Sequence, residues 1–316
     1  MKVAIVSNFE DRCGNGQYAM RLQAELLKRF DNVDRWEACP EGDYDAVIIN
    51  WHPPVLGFTR EQVDRLRGQG CKVILIVQES QPHYGLTPDS TFLAVDAVVA
   101  HEPCVFGGHQ PNFRFIHHGA MDCDKFLHAH AVFPMVGTAG FSFRGKRMDI
   151  TIKAANAIGG RAMLIVPSHK SFDPRPMWEE WKAMIPGDRL LLDTEWHPDS
   201  YVIQQLSQCT MNVYAADEGV IAPGQSGSAR MLIAARRPTI IRRCRKTSAL
   251  LPYKDELYFA TSEAHVYDLA REIWANIQAG NAVKIPHRVA IETSWSAVGK
   301  QFADLVEELV PKAVSA

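Results

Sequence analysis

Two periodicities take turns along the chain. Mostly apolar runs at residues 2–7, 46–49, 72–77, 97–100 and 113–116 resume after a break at 135–141, 162–166, 190–192, 211–215 (with Asn212 inside), 239–241 and 257–259. A short run that is apolar at nearly every position fits a strand covered on both faces, as in a parallel sheet. Residues 36–39 add a candidate edge strand. Between the runs, apolar positions return every three or four residues. Ala19, Leu22, Leu26 and Phe30, with Arg21, Glu25, Lys28 and Arg29 on the other sides, make a plainly amphipathic helix. The same spacing predicts helices at 59–67, 150–158, 177–184, 200–207, 228–236 and 264–278, and a last one at 296–309 with Val298, Phe302, Leu305 and Leu309 on one face. Strand and helix in alternation predict an α/β protein. The stretch 120–134 has neither period and reads as a connector. Two similar halves are therefore expected, 1–133 and 134–295, with the final helix in 296–316.

Length agrees with that division, because 316 residues exceed the size at which one core usually stops growing. No segment has the length of an apolar membrane span, and the N-terminus begins a strand instead of a signal peptide. A cytoplasmic chain without membrane insertion is the expectation. The cysteines (Cys13, Cys39, Cys71, Cys104, Cys123, Cys209, Cys244) are scattered, odd in number and without a C-x-x-C pair, which indicates neither a zinc cage nor a disulfide framework. Charge divides unevenly. Up to Phe133 there are 12 Lys and Arg against 17 Asp and Glu, leaving 22 against 19 of the chain's 34 and 36. An acidic first half argues against a polyanion lying along it, and a mildly basic second half accommodates a phosphate-bearing ligand.

The candidate chemistry gathers at 218–238, EGVIAPGQSGSARMLIAARRP. Small residues (Gly224, Ser226, Gly227, Ser228) stand between a strand and a helix, where main-chain N–H groups come free. A helix N-terminus of this kind carries about half a positive charge and suits a phosphate. The plainer reading is an ordinary strand-to-helix turn with Ser226 or Ser228 as N-cap. Arg144, Lys146 and Arg147 form a basic turn, either a second anion contact or a solvated corner. Arg236, Arg237, Arg242, Arg243, Arg245 and Lys246 crowd around the strand at 239–241. They are a polyanion footprint or a diphosphate and solvent face.

In this order the loops resemble the GT-B glycosyltransferases, in particular the retaining, nucleotide-sugar-dependent family 4 (group 1), which includes glycogen and sucrose synthases. Cys13-Gly14-Asn15-Gly16-Gln17-Tyr18 is similar to that family's Gly-rich first loop, Ile116-His117-His118-Gly119 to its I-P-H-G turn, and 137–147 (GTAGFSFRGKR) to its G-x-x-x-x-x-K phosphate loop. Residues 218–238 resemble its acidic loop and E-A-x-A-x-G-x-P helix, and Ser294-Trp295 the S-W that opens its last helix.

The resemblance implies two Rossmann-like domains facing a cleft, with the C-terminal helix crossing back to the first. It also implies transfer of a hexosyl or pentosyl group from a nucleotide-diphosphate sugar with retention of configuration. Lys146, assisted by Arg144, would stabilise the departing diphosphate, and Glu218 would bind donor-sugar hydroxyls. Gly14, Gly16, Gln225, Ser226, Gly227 and Ser228 would complete the donor contacts. Fixed donors aimed at the departing charge are the largest available catalytic term, so no metal or other cofactor is implied. The sequence also departs from the pattern. Ser226 stands eight positions after Glu218, where a second glutamate would hold the ribose, and Phe141 follows Gly140 where an arginine is usual. After the strand ending at Val77, Gln78-Glu79 replace a histidine, leaving Glu79 or His83 to take its role. His52, His83 and His101 are the candidate acceptor contacts. The acceptor is read as a small molecule or glycan. A phage-type enzyme acting on a hydroxymethylated DNA base, with Trp51, His52 and Tyr84 supporting the flipped base, is the alternative. A noncatalytic nucleotide-sugar-binding protein of the same fold is a further one.

Overall fold

The computed structural model describes residues 1–10, 13–51, 59–78, 95–102, 112–121, 133–168, 174–217 and 226–310. In chain order the elements are β1 (Lys2–Val6), α1 (Gly14–Leu26), β2 (Asn32–Trp36), β3 (Ala46–Trp51), α2 (Arg60–Gly68), β4 (Lys72–Val77), β5 (Ala97–Ala100), β6 (Phe113–Phe115), β7 (Met135–Ala139), α3 (Met148–Ala157), β8 (Arg161–Ile165), α4 (Arg175–Ala183), β9 (Leu190–Asp193), α5 (Asp199–Ser207), β10 (Met211–Tyr214), α6 (Gly227–Ala234), β11 (Thr239–Arg242), β12 (Tyr258–Ala260), α7 (Glu263–Gln278), α8 (Arg288–Glu292) and α9 (Trp295–Leu309). Single 3-10 segments cover Arg144–Lys146 and Arg245–Tyr253. Helix starts follow local chemistry. Thr59 and Gln62 close a reciprocal capping box on α2, and the Ser262 hydroxyl accepts from His265 N–H on α7. The edge strand lies at 32–36 instead of 36–39. Only Val33 of β2 is fully buried, so an edge position leaves too few apolar residues to mark it.

The described strands form two sheets, both parallel throughout. One has the order β2-β1-β3-β4-β5-β6 and the other β12-β11-β10-β7-β8-β9. The first is a flavodoxin-like order extended at one side. The second, counted from its own first strand, is the 3-2-1-4-5-6 order of dinucleotide-binding sheets. The chain divides accordingly into two compact units, one from Met1–Gly119 with Trp295–Ala316, the other from Ala120–Ile221 with Ser226–Ser294.

In the first unit, β1, β3 and β4 are buried on both faces, as their apolar runs require. Helix α9 belongs to this unit, so the chain returns to its first sheet at the end. Val298, Phe302, Leu305 and Val306 share one core with Tyr18, Leu22 and Leu26 of α1. The indole of Trp295 lies over Gly119, where a Cβ would come within 2.4 Å of the ring, and packs edge-on against Tyr18 at 4.9 Å between centroids. In the second unit, α3 and α7 cover one face of the sheet and α5 and α6 pack with the other. Among the described residues, no helix is long and apolar enough to cross a membrane.

Candidate functional site

The second sheet reverses its strand order between β7 and β10, and open α/β sheets bind ligands beyond the carboxyl ends of their strands at such a point. Gly140 follows β7 with φ 127°, a conformation that L side chains rarely adopt. A Cβ there would stand 2.2 Å from Ser228 Oγ and 2.9 Å from Lys146 Nζ, so glycine is what lets the two side chains converge. Lys146 ends the 3-10 turn, and its Nζ donates to Ser228 Oγ at 3.1 Å. Ser228 is in the first turn of α6. Its N-cap, Ser226, has extended backbone (φ −90°, ψ 120°) but makes no side-chain cap bond, and the first turn holds no acidic residue. The helix end keeps its main-chain donors and positive dipole beside an ammonium, which suits a diphosphate.

Next to this cradle, Arg147 stands at φ 45° and caps α3. Its guanidinium reaches Asp149 at 3.0 Å, Glu263 at 2.7 Å and Asp217 at 3.4 Å. Lys153 also binds Asp149 (3.2 Å) and Glu263 (2.6 Å), and the Tyr267 hydroxyl donates to Glu263. Partial burial works to raise the Glu263 carboxyl, but the bonds from Lys153, Tyr267 and Arg147 outweigh it and hold it at about 2, against an ordinary 4.5. Asp149 is likewise below its usual range, because Arg147 and Lys153 overcome the effect of burial. A carboxyl depressed on folding contributes stability above its unfolded pKa and loses it as pH falls through the folded one. Glu263→Gln should therefore lower the melting temperature most above pH 5. The gap to wild type should close between about pH 4.5 and 2 in a pH series of thermal melts; a gap independent of pH would show that the carboxylate charge is not what Glu263 contributes.

At the corresponding rim of the first sheet, β1 and β3 mark the switch point. Asn50, buried in β3, donates to Ser7 Oγ at 3.1 Å and to the Asn15 carbonyl at 2.9 Å, and accepts from Gln78 Nε2 at 2.6 Å. The Gly-rich motif, which forms the first turn of α1 and not a loop, is thereby tied to three strand ends. Gly14 opens α1, while Gly16 lies under carbonyl oxygens, with a Cβ falling 2.5 Å from that of Glu10. His101 is buried, with Nδ1 2.7 Å from the Ile116 carbonyl and its ring 5.3 Å from that of Tyr18 and 5.4 Å from that of His118. Trp51 is also buried, in the core beside Val6 and Val77.

Of the residues expected from sequence, Lys146, Ser226, Gly227 and Ser228 come together in the second unit, and Gly14, Gly16 and His101 lie along one rim of the first. Arg144 extends from the 3-10 turn to Glu180 of α4 at 2.9 Å, both exposed. Glu218, Gln225, Glu79, His52 and His83, with Tyr84, lie outside the described residues. The basic stretch is partly internal. Arg237 is buried and donates to the Ser207 carbonyl, Arg236 is buried against His287, and Arg242 pairs with Asp217 at 2.7 Å, which leaves Arg243 and Arg245 exposed. Arg236 has φ 50°, two residues before Pro238, where the E-A-x-A-x-G-x-P pattern has its glycine. Counting back from there puts the pattern's glutamate position on Met231, inside α6, with Ser226 outside the helix as its N-cap. The sequence marks Arg147 only as a member of the basic turn and Gly140 only as a member of the 137–147 phosphate-loop motif, and it gives no sign of Asp217. Nothing local marks the ion pairs that Asp217 and Glu263 make, which join positions far apart in the chain.

No protein-family model matches the chain, and no curated protein matches its sequence. Solved structures match its fold. HepE from Anabaena in complex with UDP superposes with a TM-score of 0.71 at 11% identity, over 98% of this chain and 100% of that one. Its complex with UDP-glucose gives 0.68 at 12%, over 98% and 100%. Sucrose-phosphate synthase from Thermosynechococcus elongatus gives 0.69 at 12%, over 99% and 100%. The chain has the GT-B fold of these glycosyltransferases.

Proposed function

We propose that this protein is a glycosyltransferase that takes a hexosyl or pentosyl group from a nucleotide-diphosphate sugar, with UDP-sugars the first candidates because HepE is similar in fold and its structures hold UDP and UDP-glucose. The observation that carries the reading is the convergence of Lys146 Nζ, Ser228 Oγ and the α6 N-terminus over Gly140 at the switch point of the second sheet. As the bond from the anomeric carbon to the diphosphate breaks, negative charge grows on the leaving oxygens. An ammonium and a helix end already in place stabilise that charge without reorganising. On this reading the positive charge is the protein's own, with no metal cofactor assigned. Glu218 is assigned to the donor-sugar hydroxyls. The acceptor hydroxyl attacks from the face the diphosphate leaves, passing its proton to a diphosphate oxygen, so the configuration is retained and no separate base is needed. The acceptor, a small molecule or glycan, is assigned to the polar rim of the first unit. Burial of Arg236 and Arg237 weakens the polyanion alternative.

A thermal-shift series with UDP, ADP, GDP and UDP-glucose tests the donor. A ligand at 100 times its dissociation constant stabilises the folded state by about 2.7 kcal/mol. A rise in melting temperature with at least one nucleoside diphosphate is the expected result. If none of the four moves it, the chain does not bind this class of donor.

A further inference from the structure

Lys146 is held from both sides by a single residue. The main-chain N–H of Asp217, just beyond β10, donates to the Gly145 carbonyl at 2.8 Å, while Asp217 Oδ1 accepts from Arg147 Nη1 at 3.4 Å. Positions 145 and 147 are the immediate neighbours of the lysine. Asp217 is itself anchored, because Arg242 Nη1 from β11 donates to the same oxygen at 2.7 Å. Arg147 in turn is fixed by two further carboxylates, Asp149 at the start of α3 and Glu263 at the start of α7. Its left-handed backbone is uncommon for a residue with a long side chain, and such strain persists only where the surroundings over-determine it. Here three carboxylates do so.

A lysine side chain has four rotatable bonds, and ordering it when a ligand arrives costs conformational entropy. A turn bolted at both neighbours removes the backbone share of that cost and aims the chain at Ser228. We propose that Asp217 and Arg147 are positioning residues for the Lys146 ammonium. They pin the turn 144–147 to the exit of β10 and so hold Nζ over Gly140, touching no ligand themselves. Arg242, counted by sequence among the residues of a polyanion footprint, is the strut behind Asp217. The inference rests on the reading that Lys146 meets the donor diphosphate.

The test is a double-mutant cycle on the full chain, read by calorimetric titration with UDP, ADP and GDP. It uses wild type, Lys146→Ala, Asp217→Asn and Lys146→Ala/Asp217→Asn, with melting temperatures alongside. Asp217→Asn should weaken the bound diphosphate about tenfold in the wild-type background and have little effect once Lys146 is alanine. Arg147→Gln, paired with Lys146→Ala in the same way, should give the same pattern from the other side of the pair and serves where Asp217→Asn fails to fold. An equal loss in both backgrounds, or tight binding by Asp217→Asn alone, overturns the positioning role while leaving the donor site standing. A wild type that binds none of the three diphosphates overturns the donor reading and this inference with it.

Discussion

Replacing Lys146 by alanine should lower the turnover of a nucleotide-sugar donor by about 10²–10³-fold, the loss typical when one preorganised donor to a developing negative charge is removed. The affinity for the free nucleoside diphosphate should fall as well. The melting temperature of the unliganded protein should hardly change, because Lys146 is only partly buried and its described bond is to the Ser228 hydroxyl, which the α6 end leaves near main-chain donors. Substitutions away from core contacts usually stay within about 0.5 kcal/mol. Arginine should not rescue. A planar guanidinium needs more room than an ammonium, and the space over Gly140 already places Nζ 2.9 Å from where a methyl would sit. Initial rates with UDP-glucose, and calorimetry with UDP, measure the two effects separately. Unchanged kcat together with unchanged UDP affinity would remove the cradle from the reaction.

The strand pattern was the most legible part of the chain. Residues 72–77 and 97–100 read from the sequence as runs are β4 and β5 to the residue, because a strand buried on both faces needs a continuous apolar run and nothing else nearby supplies one. Elements with less burial were harder to place. β2 has one fully buried residue, and α8 has five residues in all, too few for a helical period to show. Lys146 and Ser228 were legible as candidates because each lies in a short motif of unusual composition. That they touch was not, since their meeting depends on strand order and on the conformation of Gly140. The charged residues were the least legible. A cluster of six basic residues within eleven positions looks alike in sequence whether it faces solvent or, as with Arg237 on the Ser207 carbonyl and Arg242 on Asp217, satisfies acceptors inside its own unit. Arg144 and Arg147 show the same limit. They stand three residues apart in one basic turn, yet the first is exposed on Glu180 and the second is half-buried among three carboxylates.

Trp295→Ala should cost the first unit about 3–5 kcal/mol, the range for truncating a large buried aromatic. That is a large share of the 5–15 kcal/mol by which a typical domain is stable. The indole is 7% exposed and starts α9, and it shares one core with Val298, Phe302, Leu305 and Val306 of that helix and Tyr18, Leu22 and Leu26 of α1. Hydrogen exchange should locate the damage, with amides of α1 and α9 losing protection first. The neighbour of the indole supplies a sharper check. Gly119→Ala alone puts a methyl within 2.4 Å of the ring, an overpacking of about 1–3 kcal/mol. In Gly119→Ala/Trp295→Ala the same methyl enters the space the ring has left, so the two costs should fall short of adding by about 0.5–3 kcal/mol. Urea midpoints of the four proteins measure this. Strict additivity would mean that the indole does not rest on Gly119, and that α9 is held in the first unit by its apolar face alone.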